Sequence, residues 1–216
     1  MSGQSTMNAM SAMNAMSEAA LVPVVAALRD YETRLRRLDV ELRGVLPGLP
    51  SEAATQGAGY VWLRELLCPR RVAVDAFMRA GNRLGVLEPA LLRRVLAVRA
   101  LYAHRTAVRR CIDRNALAAM RAAVGEASLT ALQRADARDG ETALPLPPSL
   151  DSAALVREGL LRLRADGCID DPGIWQLMSL HMAPDWPAAD ETVPACGADG
   201  ARFLGRLPML VPELPW

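Results

Sequence analysis

The chain has 216 residues, 51% of them apolar, and a formal net charge of +1 from 25 basic and 24 acidic side chains. Length and apolar content together predict a folded chain of one or two modest domains with a real core. The near balance of charge argues against a dedicated nucleic-acid binder, which needs a cationic excess to gain from counterion release.

Residues 1–16 repeat Met-Asn-Ala-Met-Ser without charge or aromatic content. Such a segment lacks material for a packed core and is read as a disordered tail. Several of its methionines are alternative starts, and an uncharged, Ser-rich leader also fits a type III export signal. No basic stretch followed by an apolar run marks a secretory signal, and no apolar run nears 18 residues, so no membrane insertion is expected.

From Ser17 the pattern changes. Leu21, Val24, Leu28, Tyr31, Leu35, Leu38, Leu42 and Val45 recur at alternating spacings of three and four, the seam of a long helix. Asp30 with Arg34, Glu32 with Arg36 and Asp39 with Arg43 stand in the favourable acid-first order, each pair contributing about 0.2–0.5 kcal/mol. The seam packs on the helix's own domain or receives a partner. Gly44, Pro47, Gly48 and Pro50 then end it, leaving 46–58 as a linker. A helix with Tyr60, Trp62, Leu63 and Leu66 follows, and stops before Pro69. The stretch 71–84 is read as another, with Val74, Phe77 and Met78 turned inward.

Two more helices are written between Val86 and Gly125. Pro89 suits a first helical position, where its missing N–H is no loss, and Leu91, Val95, Val98 and Tyr102 share a face. Asp113 is placed to cap the second, whose Leu117, Met120 and Val124 face one way until Gly125 ends it. The join carries Arg105, Arg109, Arg110 and Arg114. An apolar hairpin with a cationic elbow reads as a docking surface, and these four arginines are the candidate partner-binding residues.

The run AVRRCIDRNALAAMRAAVG, an arginine pair followed by Ile-Asp and a short helix closing on Val-Gly, resembles the SctK family of type III secretion proteins (the YscK and Hrp-type relatives) over residues 60–135. The resemblance implies a cytoplasmic subunit of the sorting platform, peripheral to the inner membrane. Family members contact the forkhead-associated-like cytoplasmic domain of the ring protein SctD on one side. On the other they contact the pod protein SctQ, which connects through SctL to the export ATPase.

After Gly125 a short helix holds Leu129 and Leu132, and Pro145, Pro147 and Pro148 then break the chain over 143–149. The break divides a helical domain, 17–142, from a C-terminal helical subdomain, 150–216. Asp151 caps a helix carrying Leu155, Leu160, Leu161 and Leu163, closed by Gly167. Asp171-Pro172 opens another, with Trp175, Leu177, Met178 and His181. The last thirty residues are rich in Pro and Gly and end in FLGRLPMLVPELPW. With no alternating strand pattern, the fold is mainly α: an irregular multi-helix bundle with a Pro/Gly-rich C-terminal segment.

Nothing in the sequence encodes catalysis. His104 stands seven residues before Cys111, about 10 Å along a continuous helix, too far for a nucleophile and its base. Asp166, Asp170 and Asp171 read as helix-end and turn residues. The four cysteines, Cys68, Cys111, Cys168 and Cys196, lack CxxC spacing, so no metal or cofactor is expected and reduced thiols fit best. All 25 basic residues are arginine, as GC-rich codon usage gives, although arginine forks also suit bidentate carboxylate contacts. The expected function is a non-enzymatic scaffold with protein partners. The alternatives are a secreted type III substrate or chaperone-bound export-associated protein and, behind it, a helix-turn-helix regulator, whose second helix here offers only Asn115 and Arg121 to read bases.

Overall fold

Pro89 begins the helix that organises most of the molecule. In the computed structural model, which describes residues 18–45, 72–135, 144–182 and 199–214, the helices are α1 Glu18–Val45, α2 Ala80–Arg83, α3 Pro89–Ala103, α4 Arg105–Arg110, α5 Arg114–Val124, α6 Glu126–Arg134, α7 Ser152–Ala165, α8 Pro172–His181 and α9 Asp199–Leu210. No strand occurs among the described residues, and the fold is mainly α as expected. The tail 1–16, the linker 46–58, the Tyr60–Leu66 helix, Cys68 and Cys196 lie outside them.

The helices divide between two compact units, one formed by residues up to Val86 with Asp171–Met178, the other by Leu87–Asp170 with Ser179–Trp216. The proline break at 143–149 lies inside the second unit. Prolines end helices because they lack an N–H and crowd the preceding turn, but the apolar face of α7 is covered by α3, on the other side of that break in sequence.

In the first unit, α1 buries Val24, Tyr31 and Leu35 of its heptad seam, together with Ala27 and Arg34, while Leu21 and Leu28 are half-buried. Tyr31 packs against Phe77, ring centroids 5.7 Å apart. The stretch read as one helix over 71–84 is instead a 3-10 turn, Val74–Met78, then α2 and a second 3-10 turn, Leu84–Val86. Of Val74, Phe77 and Met78, only Phe77 is buried; Val74 and Met78 are exposed. Side chains compete with the helix there: Asn82 Nδ2 donates to Ala76 O at 2.9 Å and Arg83 Nε to Phe77 O at 2.7 Å. Asp171 caps α8 as predicted, accepting from the Gly173 and Ile174 amides at 2.8 and 3.0 Å, with Ile174, Leu177 and Met178 buried.

In the second unit α3 is the central helix, with α4, α5, α6, α7 and α9 all against it. It is buried from Val95 to Tyr102 without interruption, so the Leu91–Tyr102 face is only part of what it hides. Its closest neighbour is α7. A Cβ on Gly159 of α7 would overlap the Leu96 carbonyl oxygen and lie 2.6 Å from its carbonyl carbon, so only glycine permits this crossing. Asp113 caps α5 through the Asn115 amide at 2.9 Å, and Asp151 caps α7 through Ala153 and Ala154. Gly125 and Gly167, at φ 83° and 62°, end α5 and the turn after α7 in conformations that favour glycine. The Pro/Gly-rich C-terminal stretch also contains a helix, α9. Pro208 is tolerated near its end, and Phe203, Leu207 and Leu210 face inward.

Candidate functional site

Because α3 is enclosed on every side, Arg99 near its middle is 0% exposed. A guanidinium there must be matched, since an unpaired buried charge costs several kcal/mol. Two carboxylates match it. Asp166, at the end of α7, makes a short contact with Nη2, and Asp199, the first residue of α9, lies 3.4 Å from Nη1. The guanidinium also sits over the Phe203 ring, 5.5 Å from its centroid.

Arg105, the first residue of α4, joins the same cluster. Its Nη1 lies 3.2 Å from Asp199 Oδ1 and donates to Tyr102 O at 2.8 Å, while its guanidinium stacks over the Tyr102 ring at 4.6 Å. Two arginines and two aspartates thus tie α3, α4, α7 and α9 together. Gly200 lets α9 approach: a Cβ there would overlap the Cys168 sulfur and come within 2.7 Å of Asp166 Cβ. Burial, then the Asp166 carboxylate, push the Cys168 thiol up to about 11, so it stays protonated at neutral pH.

A second polar cluster pins the break after α3. His104 leaves helical geometry at φ −98°, ψ 15°. One ring nitrogen contacts Pro145 O closely and the other lies 2.7 Å from Glu158 Oε1. Arg162 shares that carboxylate, Nε to Oε1 at 2.8 Å. Burial alone would raise the Glu158 carboxyl, but hydrogen bonds and charge from His104 and Arg162 outweigh it and hold the group below its ordinary value. The helix is thus broken at His104, and both ring nitrogens face Pro145 and Glu158 rather than Cys111. Cys111 and Cys168 are free thiols. Among the described residues no group of three His, Cys, Asp or Glu is placed to hold a metal ion.

Beyond this framework the chain turns outward. Residues 111–113 form an extended joint between α4 and α5, with Cys111 at φ −69°, ψ 124° and Asp113 at φ −69°, ψ 120°. Arg109, Arg110 and Arg114 flank it and are exposed. None of the three has an ionic or hydrogen-bonded side-chain partner among the described residues. At the apex Ile112 is 93% exposed, more than any other large apolar side chain described. The elbow read from the sequence therefore contains three of its four arginines. Arg105 is not on it: the break at His104 restarts the helix so that Arg105 points into the interior, where Asp199 neutralises it.

Sequence reading missed the Arg99–Asp166–Asp199 cluster. Asp166 and Asp199 lie 67 and 100 positions from Arg99, and the only local sign was an arginine inside the apolar run from Val95 to Tyr102. It missed the role of Ile112 as well, since an isolated isoleucine in a cationic run shows no period.

Fold and site together define, in the described residues, an all-helical protein whose interior charges lock helices to one another and which presents three exposed arginines at one joint. The chain belongs to the HrpB4 family of bacterial type III secretion proteins, whose model matches residues 60–213. That is the secretion class which the arginine-pair block resembles, and the match takes in α3 to α9. No curated protein and no solved structure matches the chain.

Proposed function

We propose that this protein is a non-enzymatic scaffold subunit of the type III secretion sorting platform, linking the inner-membrane ring to the cytoplasmic pods and export ATPase. It would act in the cytoplasm, peripheral to the inner membrane, with SctD and SctQ as direct partners and SctL and the ATPase reached through them. The observation that carries this reading is the elbow: three guanidinium groups, exposed and without an ionic partner among the described residues, on a joint anchored to a charge-locked helical body. Family membership supplies the secretion system. Among the described residues no helix is long and apolar enough to cross a membrane, which suits a subunit held by protein contacts.

Guanidinium groups recognise carboxylates through paired N–H donors. Desolvated pairs at an interface centre contribute several kcal/mol, whereas rim pairs contribute well under one. Reversing Arg109 and Arg110 to Glu leaves thermal stability within about 1 kcal/mol of the parent, as for other surface changes. The same variant loses co-purification with SctD or SctQ and stops secretion. Normal secretion by the stably folded double variant would refute the docking role of the elbow.

A further inference from the structure

We infer that Ile112 is the anchor of the elbow, the side chain that enters an apolar socket on a protein partner whose rim carries carboxylates. The inference rests on the docking reading above and adds the central contact and the chemistry of the opposing surface. Single exposed apolar residues are ordinary on protein surfaces, but this one differs in its setting.

It stands at the tip of a three-residue joint and is 93% exposed. Arg110 and Arg114 lie two positions to either side, with Arg109 beside Arg110. The one acidic residue in the sequence between Arg105 and Gly125, Asp113, accepts from the Asn115 amide through its Oδ1 at 2.9 Å. The joint is held on both flanks, by that cap and by the Cys111 amide on Val108 O at 3.3 Å. Little conformational freedom remains to be lost on binding. An apolar centre within a cationic ring has the anatomy of a binding hot spot: the buried centre supplies affinity and the charged surround supplies orientation and salt-sensitive steering. Charge complementarity fixes the occupant as an acidic-rimmed protein surface rather than a second copy of this elbow, which would oppose arginine to arginine.

Isothermal titration of the purified full chain, with the purified cytoplasmic domain of SctD and purified SctQ as separate probes, tests this. At least one probe binds the wild type. Ile112→Ala then weakens Kd about tenfold to a hundredfold, the equivalent of removing a fully buried aliphatic side chain. Ile112→Leu stays within about threefold, since the volume is conserved. The slope of affinity with salt is unchanged in Ile112→Ala and reduced in an Arg109→Ala, Arg110→Ala variant, because only the charges are screened. If Ile112→Ala binds like wild type while the arginine variant is weakened, the elbow docks by charge alone; the inference falls and the docking reading stands. If both variants bind like wild type, the docking surface lies elsewhere and the inference falls with the elbow. If neither probe binds the wild type, the scaffold reading fails and takes the inference with it.

Discussion

Replacing Gly159 with alanine is the sharpest test of how the second unit is packed. In the middle of a helix the change should help, because alanine loses less backbone freedom on folding, a gain of about 0.5–1 kcal/mol. At this position the gain is overridden. The new methyl group would lie 2.6 Å from the Leu96 carbonyl carbon. Ordinary contact begins near 3.4 Å, and the Leu96 carbonyl oxygen stands nearer than its carbon, so α3 and α7 must part by more than the roughly 0.8 Å that the carbon alone would require. The obstacle is backbone in the buried stretch of α3 and cannot rotate aside. A gap of that size forfeits a quarter to a half of the dispersion energy of each facing atom pair, along an interface built from Leu92, Leu96, Leu155 and Leu160 among others. Overpacking of this kind costs about 1–3 kcal/mol and occasionally more. With backbone as the obstacle, the net loss is about 2–4 kcal/mol, or a fall in Tm of about 5–15 °C at this chain length. Gly205, exposed in α9 with nothing within 4 Å of its absent Cβ, is the matched control. Gly205→Ala should raise Tm by about 1–4 °C. Thermal and urea unfolding followed at 222 nm measures both. A Gly159→Ala protein as stable as the parent would refute the close crossing of α3 and α7.

Two further outcomes follow from the buried charges. Glu158 is held below its ordinary pKa of 4.5, so the folded state binds its proton less readily than the unfolded chain does. The stabilisation is complete above that value and is lost as pH falls through the lower folded one; urea midpoints from pH 7 to pH 3 should therefore fall less steeply in Glu158→Gln than in the parent. Arg99→Leu removes the guanidinium that both Asp166 and Asp199 contact, and should destabilise by about 3–5 kcal/mol in denaturant titration, the range for breaking a buried pair.

What could be read in the sequence was what is decided locally. Asp113, Asp151 and Asp171 cap their helices because an aspartate before an amphipathic run meets amides two or three residues ahead of it, and no distant residue is needed to place it. The heptad seam of α1 and the closures at Gly125 and Gly167 are of the same kind. Residues whose surroundings come from far along the chain could not be read. Val95 through Tyr102 are buried on all faces because five helices converge on α3, so its period showed only part of its burial. Arg105 sits four positions from Arg109 and looks identical in sequence; only the break at His104, fixed by Pro145 and Glu158, separates an interior arginine from an exterior one. Val74 and Met78 kept a helical spacing that Asn82 and Arg83 undo by taking the carbonyls the helix would have used. Likewise, α9 went unread because its glycines and prolines are tolerated by close approach at Gly200 and by the terminal position of Pro208.

The place of Asp199 in the chain also bears on how the molecule is made. Its carboxylate serves Arg99 and Arg105, which leave the ribosome roughly a hundred residues earlier. Until α9 emerges, Arg99 and Arg105 lack the Asp199 carboxylate that both face in the folded unit. A nascent chain halted before residue 199 therefore has none of these contacts, whatever helices it has already formed. Final consolidation waits on contacts of long sequence separation, which sets a slow, late step in folding, and holds the charged elbow on an unsettled base until synthesis is nearly complete.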